Sequence, residues 1–218
     1  MSFSDILDCK RVGDGVALMR LNRPKSRNAL SRALRGDIVS CLAKLGEDDD
    51  VQAVVLTGNG EVFCAGFDLR ELSEGNAHEI FAGAEAYHRD VHSFAKPLIA
   101  AVNGPALAGG MDLALMCDVR FGCAATRFGQ PQVRMGIPAA FDLVRTALDE
   151  GSARYLCLSG DVIDASTAHA MGVVTKLFED AGQMLEETLA AAASIAGSNG
   201  SAAMKARMLE RQPTLFGE

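Results

Sequence analysis

The sequence lacks any apolar run long enough to cross a lipid bilayer. Its first residues, MSFSDILDCKRVGD, also lack the apolar core of a secretory signal peptide. These two absences predict a cytoplasmic protein that has no membrane partner.

Cysteine pairs with the CxxC spacing of metal and redox motifs are absent as well. Several of the six cysteines stand within apolar runs, which predicts buried free thiols in a reducing compartment. His88 and His92 are four residues apart on a predicted helix, but the sequence offers no third ligand, so we predict no metal site. Neither Ser159 nor Thr57 belongs to a recognisable Ser–His–Asp arrangement, which leaves serine hydrolase chemistry without support.

Basic residues are in the minority, with 21 Lys and Arg against 28 Asp and Glu and a net charge of −7. Because binding to nucleic acid phosphates requires an excess of positive charge, this balance argues against nucleic acid as the main partner. Basic residues crowd one short region, which is either a solvated loop or a contact for an anionic ligand: Arg20, Arg23, Lys25, Arg27 and Arg32.

Strand-like and helix-like patterns alternate along the chain and predict an α/β fold. With 218 residues and 49% hydrophobic content, the chain is sufficient for one domain with a full core. Strands are predicted at residues 15–21, 51–56, 98–102, 118–122 and 173–178. Helices are predicted at residues 32–45 (capped by Ser31), 76–95, 109–116, 138–160 with little interruption, 164–171, 183–195 and 201–211.

Two loops share an arrangement that points to chemistry on an activated carbonyl. In residues 61–72, EVFCAGFDLREL, and 103–117, NGPALAGGMDLALMC, small residues follow a strand and directly precede a helix. Each loop therefore offers free backbone N–H groups where the chain turns. Two such turns facing each other would stabilise a negatively charged oxygen with amides alone, as reactions of thioesters require.

Five blocks in this order resemble the crotonase superfamily, the enoyl-CoA hydratase/isomerase family: LNRPKSRNAL (21–30), VQAVVLTGNGEVFCAGFDL (51–69), KPLIAAVNGPALAGGMDLALMCDVRF (96–121), TRFGQPQVRMGIP (126–138) and LSGDVIDASTAHAMGVVTKLF (158–178). The resemblance implies a spiral of ββα turns over residues 1–180, followed by a short helical region over residues 181–218. It also implies an acyl-CoA substrate, an enolate intermediate and a homotrimer or dimer of trimers. It implies no cofactor, because coenzyme A is part of the substrate.

The same resemblance assigns site residues. Phe67 and Gly109 would supply the two N–H groups of the oxyanion site, where one donor is worth roughly 3 kcal/mol. Gly66 permits a turn that a residue with a Cβ would resist. The path of CoA would be lined by Ala65, Gly66, Asp68, Leu69, Arg70 and Gly110. Lys25 and Arg27 would contact the CoA phosphates, although a solvated surface charge is nearly as good an interpretation for each.

The chain departs from the family pattern at its acid–base positions. Hydratases of the family use two glutamates, and here the first position is Asp112 and the second is Gln132. A neutral amide neither gives up nor takes a full proton, and loss of a general acid or base typically costs roughly 10²–10⁴-fold in rate. Asp142 enters a region where some family members place a catalytic carboxylate, but it can equally face solvent.

These departures favour chemistry that needs one carboxylate. Isomerisation of a double bond in an acyl-CoA, with Asp112 or Asp142 moving the proton, is the leading hypothesis over standard hydration. Two alternatives remain: an acyl-CoA binding protein without catalysis, favoured by Gln132, and a thioester hydrolase or displacement enzyme that uses Asp142.

Overall fold

Short strands and helices alternate along the chain and confirm the predicted α/β class. The computed structural model describes residues 2–74, 77–213 and 215, and for residues 2, 72–74 and 77–82 it describes the main chain alone. The strands are β1 (Ser2–Ser4), β2 (Leu7–Gly13), β3 (Val16–Leu21), β4 (Ala53–Gly58), β5 (Leu98–Val102), β6 (Pro105–Leu107), β7 (Val119–Cys123), β8 (Arg127–Gly129), β9 (Val162–Asp164) and β10 (Lys176–Phe178). The α-helices are α1 (Arg32–Glu47), α2 (Leu69–Glu74), α3 (Ala77–His92), α4 (Gly109–Leu115), α5 (Phe141–Ala147), α6 (Glu150–Ser159), α7 (Ala165–Ala170), α8 (Ala181–Ala196) and α9 (Ser201–Arg211).

The strands form two sheets. The larger sheet has the order β1-β2-β3-β4-β5-β7-β10, in which β1, β2 and β3 pair antiparallel and the remaining neighbours pair parallel. The smaller sheet has the order β6-β8-β9. The chain passes from β5 in the larger sheet to β6 in the smaller one and then into α4, which is the strand–strand–helix turn that the resemblance implies.

The central strands bury both of their faces. Alternate residues of β4 belong to different cores: Val54 and Leu56 pack with α1 and α4, whereas Ala53 and Val55 pack against α8. The strands β3 and β5 divide in the same way. Burial on both faces explains why these strands are apolar throughout rather than alternating. The prediction for residues 51–56 is confirmed, although the strand begins and ends two residues later.

Side-chain caps set several helix ends. Ser31 accepts a hydrogen bond from the Leu34 N–H at 3.2 Å and confirms the predicted start of α1. The prediction of nearly continuous helix over residues 138–160 is wrong. The chain is extended at Leu148, and Asp149 then caps a new helix by accepting the Ser152 N–H at 3.0 Å.

Two further predictions can be compared with the structure, one for the N-terminal strands and one for α3. The strands β1 and β2 were not predicted, because most of β2 is polar and exposed. The helix predicted over residues 76–95 is observed as α3, and residue 76 lies outside the described residues. Nowhere in the described ranges is a helix both long enough and apolar enough to cross a membrane.

Hydrogen bonds of Asn28 connect the loop that follows β3 with the loop that follows β4. Its side chain is fully buried, and its main chain has a φ of 53°, in the left-handed region that asparagine tolerates. Its Nδ2 donates to the carbonyls of Asn59 at 3.0 Å and Val62 at 2.7 Å, and its Oδ1 accepts the Arg23 N–H at 2.9 Å. These bonds hold the basic loop, residues 22–31, against the first glycine loop, residues 59–68. The second glycine loop comprises residues 103–109.

We expect Asn28→Ala to lower the free energy of unfolding by about 3 kcal/mol, because three buried hydrogen bonds contribute about 1 kcal/mol each. The measurement is urea denaturation followed by circular dichroism. Asn22→Ala is the matched control, because Asn22 is only half-buried and its bonds to Asp5 and Asn59 are exposed. Equal losses in both variants would contradict the role given to Asn28.

Candidate active site

A cavity of about 600 Å³ opens between the two glycine loops and the segment that leads into α5. One wall comes from the loop after β4 and the start of α4, and another comes from α3. The remaining wall is mainly apolar and includes Ile137, Ala139, Phe141 and Leu143. The cavity therefore combines backbone turns at one side with an apolar surface at the other, which suits a ligand with a polar group attached to an apolar chain.

Two backbone N–H groups stand at the glycine-loop side of the cavity. Leu30 pairs with the Phe67 strand segment through Leu30 N–H to the Gly66 carbonyl at 2.8 Å and Asp68 N–H to the Leu30 carbonyl at 3.3 Å. Both bonds use neighbours of Phe67, so this pairing leaves the Phe67 N–H unused. Gly109 is the first residue of α4, a position whose N–H has no partner within the helix.

The two turns approach so closely that glycine is required at their contact. Gly66 has a φ of 98°, and a Cβ there would lie 2.9 Å from the Leu107 carbonyl oxygen and 3.2 Å from the Gly109 nitrogen. A Cβ at Gly109 would lie 2.8 Å from the Phe67 ring and 3.5 Å from the Phe67 nitrogen. The structure thus brings together the two predicted oxyanion donors, with main chain facing main chain.

Asp112 lies in the first turn of α4 and lines the cavity, although only 4% of its surface is exposed. Burial raises the pKa of its carboxyl to about 7, and a hydrogen bond from Gln130 opposes this rise. A carboxyl with a pKa near neutrality can both take and return a proton at working pH. This property suits a general acid–base group.

Two glutamines continue from Asp112 as a chain of hydrogen bonds. The Nε2 of Gln130 donates to Oδ1 of Asp112 at 2.8 Å, and the Nε2 of Gln132 donates to Oε1 of Gln130 at 2.6 Å. Because Gln130 must donate to the carboxylate, its oxygen is left to accept from Gln132. The Oε1 of Gln132 is then buried without a hydrogen-bond partner among the described residues.

Sequence reasoning did not identify Gln130 as a functional residue. It is fully buried and follows directly after β8. In the sequence, Gln130 stands two residues before Gln132 in the stretch FGQPQ. Nothing in this pattern distinguishes a functional amide from an ordinary one. Gln132, which was predicted, lines the cavity and is 8% exposed.

Asp142 lines the same cavity but in a different environment. Its side chain is 66% exposed and lies 3.6 Å from the Nε of Arg145. Asp142 is thus exposed and paired with a cation, whereas Asp112 is buried. Asp142 as an acid–base group stays a prediction.

The residues predicted to contact CoA divide into two groups. Ala65, Leu69 and Arg27 line the cavity, and Leu69 and Arg27 are exposed at its mouth. Five others are not among the described residues that line the cavity: Lys25, Gly66, Asp68, Arg70 and Gly110.

Two residues of the second group have structural partners. Asp68 forms an ion pair with Arg23 at 3.0 Å, in which both side chains are largely buried. At Gly110, a Cβ would lie 2.1 Å from the Cys64 carbonyl oxygen, so this glycine permits α4 to pack on the first glycine loop. Their assignment to CoA binding stays a prediction.

His88 is a cavity residue that sequence reasoning left without a role. It is buried, its ring meets the Phe67 ring edge-on at 5.9 Å, and burial lowers its pKa to about 4. His88 is therefore neutral at working pH. Among the residues that the structure describes, no three His, Cys, Asp or Glu side chains converge as a metal site would require.

Known proteins are similar to this chain in sequence. The family model of the enoyl-CoA hydratase/isomerases matches residues 11–214. A Mycobacterium tuberculosis protein named "probable enoyl-CoA hydratase" is 33% identical over 196 residues, covering 88% of this chain and 76% of that protein. The crotonyl-CoA hydratase of Syntrophomonas wolfei is 35% identical over 189 residues, covering 84% and 71%.

The fold agrees with solved structures of similarly named proteins. The crystal structure of an enoyl-CoA hydratase from Mycobacterium smegmatis superposes with a TM-score of 0.90 at 27% identity, covering 97% of this chain and 85% of that one. The family match spans nearly the whole chain and includes both glycine loops and Asp112. The chain therefore belongs to the enoyl-CoA hydratase/isomerase family.

Proposed function

We propose that this protein is an acyl-CoA isomerase that moves a double bond by way of an enolate, with Asp112 as its acid–base group. The observation that carries the proposal is the buried Asp112, which faces the cavity beside two backbone N–H donors while an amide occupies position 132. The relatives named above are hydratases, so the preference for isomerisation rests on this chain's own residues.

The N–H groups of Phe67 and Gly109 would bind the thioester carbonyl oxygen. As Asp112 removes a proton from the α carbon of a 3-enoyl-CoA, the electron pair of that C–H bond moves into the carbonyl group and gives a dienolate. Asp112, now protonated, returns the same proton to the γ carbon, and the conjugated 2-enoyl-CoA forms. The step consumes no water and needs no cofactor beyond the CoA of the substrate.

Hydration requires a second proton-transfer group, and this chain has Gln132 where the hydratases of the family have a glutamate. Adding water across a double bond requires a second group to activate the water or to protonate the α carbon. Gln132 cannot take this role, since an amide does not exchange a full proton at working pH. Its Nε2 is also committed to Gln130.

The alternatives have less support from the site. Hydrolysis through Asp142 would use an exposed carboxylate paired with Arg145. A binding protein without catalysis would have no need of a buried carboxyl with a pKa near 7 in the cavity.

We also propose a homotrimer or a dimer of trimers, as the family resemblance implies. A cytoplasmic location is proposed on other grounds, since the six free cysteines suit a reducing compartment. Exposed apolar side chains on α6 and β9 support a subunit contact, because Tyr155 is 59%, Leu158 is 79% and Val162 is 47% exposed.

The first test compares two reactions on one panel of short- and medium-chain substrates. We expect the purified protein to raise the absorbance of the conjugated enoyl thioester when it is given 3-enoyl-CoA. It should leave 2-enoyl-CoA unchanged, because water activation lacks its second carboxylate. Gln132→Glu should gain hydration of 2-enoyl-CoA. Rapid hydration by the natural protein would overturn the preference for isomerisation, and inactivity on every substrate would favour the binding protein.

The second test concerns the acid–base group. We expect Asp112→Asn to lower kcat by roughly 10²–10⁴-fold, because it removes a general acid–base while leaving the cavity in place. Binding of CoA thioesters, measured by calorimetry, should persist. Asp142→Asn is the matched control and should change kcat only slightly. Full activity in Asp112→Asn would exclude Asp112 as the proton-transfer group.

The third test uses the raised pKa of Asp112. Because the ionised carboxylate is the base, kcat/KM should rise with pH through about 7. The raised pKa also means that folding is most favoured when Asp112 is protonated, so its contribution to stability falls as pH rises from about 4 to about 7. Relative to the natural protein, Asp112→Asn should gain up to about 4 kcal/mol in unfolding free energy across this range. Parallel stability curves for the two proteins would show that the Asp112 pKa is not raised.

A further inference from the structure

Arg35 is a buried cation that packs on the Phe67 ring beside the candidate oxyanion site. It stands on α1, and 5% of its surface is exposed. Its guanidinium carbon lies 4.8 Å from the centroid of the Phe67 ring, and its Nη1 donates to the Leu30 carbonyl at 3.0 Å. It therefore contacts both strands of the pairing that directs the Phe67 N–H.

The charge of Arg35 has no close counter-ion in the part of the chain that the structure describes, since none of the ion pairs found there includes it. Glu71 is the nearby carboxylate, but its oxygens accept the Arg32 N–H at 2.8 and 3.0 Å at the start of α1. Burial lowers the pKa of the Arg35 guanidinium, which nevertheless stays charged because arginine is not deprotonated in proteins. An unpaired buried charge is costly to a fold.

Arg35 constrains two groups, the carbonyl of Leu30 and the ring of Phe67. The Leu30 carbonyl accepts two donors, the Asp68 N–H at 3.3 Å and the Arg35 guanidinium at 3.0 Å. The first of these bonds is long, so the charged donor adds the firmer constraint on this carbonyl. On the Phe67 ring, Arg35 packs together with the neutral His88. Arg35 therefore contacts the oxyanion segment, residues 66–68, directly through the Phe67 ring, and it acts on the main chain of that segment through the Leu30 carbonyl.

We infer that Arg35 is a positioning residue for activation of the thioester carbonyl: it fixes the segment that carries the Phe67 N–H, and its buried charge stabilises the negative oxygen of the enolate. The inference rests on the proposed function, because the negative oxygen arises only if an acyl thioester occupies the cavity. As charge develops on the carbonyl oxygen, the reaction itself would add a negative group on the Phe67 side of Arg35.

The test measures polarisation of a bound thioester carbonyl rather than turnover alone. The probe is 4-dimethylaminocinnamoyl-CoA, a chromophoric enoyl thioester whose absorption moves to longer wavelength as its carbonyl is polarised. Arg35→Lys keeps the charge, whereas Arg35→Gln keeps an amide donor and loses the charge. Arg32→Gln is the matched control, because Arg32 is an exposed arginine on the same helix.

We expect the natural protein, Arg32→Gln and Arg35→Lys to shift the probe to longer wavelength, and Arg35→Gln to give a clearly smaller shift. With 3-enoyl-CoA, Arg35→Gln should lower kcat on the order of ten-fold with little change in KM, because the charge acts on the transition state more than on the bound substrate. A folded Arg35→Gln variant with the full shift and full kcat would overturn the inference.

Thermal unfolding of every variant separates loss of fold from loss of polarisation. If Arg35→Gln does not fold, Arg35→Lys decides the question, since the inference requires it to keep the shift and a folded Lys variant without it overturns the role of the charge. If the natural protein binds the probe without any shift, the proposed function itself fails. That result differs from a shift that is present and insensitive to Arg35.

Discussion

The site depends on the approach of two backbone turns with no side chains between them. Gly66 and Gly109 face each other so closely that a Cβ on either would meet main-chain atoms or the Phe67 ring. Gly110 makes a similar contact with Cys64. The parallel bridges from Leu30 to Phe67 and from Cys64 to Ala106 hold the turns in this relation. Amide N–H groups fixed in this way do not have to reorganise when charge develops, which is the main advantage of such sites.

The rest of the site can be understood as polar groups added to this rigid base. Asp112 is placed by the helix that begins at Gly109, so the Gly109 N–H and the Asp112 carboxyl move as one unit. Gln130 donates a hydrogen bond to one oxygen of the Asp112 carboxylate, and Gln132 holds Gln130 in place by a second hydrogen bond. On the other side of the oxyanion segment, Arg35 holds Phe67 and Leu30. One buried carboxyl beside fixed N–H donors is the arrangement that the proposed isomerisation uses, because that reaction moves a proton within one molecule.

The sequence predicted those features that local pattern determines. The apolar runs around Val54 and Ile99 indicated strands buried on both faces, and the small residues at positions 66 and 109 indicated two facing turns. It could not reveal Gln130 or Arg35, whose roles depend on partners 18 and 32 residues away along the chain. Asp149 ended a helical pattern through a cap that competes with helix continuation. The strand β2 was missed because its residues are mostly polar and exposed, which leaves little apolar pattern to detect.

The position of α8 has a consequence for the order in which this protein acquires its structure. This helix supplies Met184 and Ala192 to the core that covers β3, β4 and β5, yet these strands are synthesised long before it. Until residues 181–196 have emerged, the face of the central sheet that α8 covers stays open. Contacts so distant in sequence form slowly, and an apolar sheet surface left open in the meantime is prone to aggregate. During synthesis, the nascent chain therefore passes through a stage in which both glycine loops have been made but one face of its central sheet is uncovered.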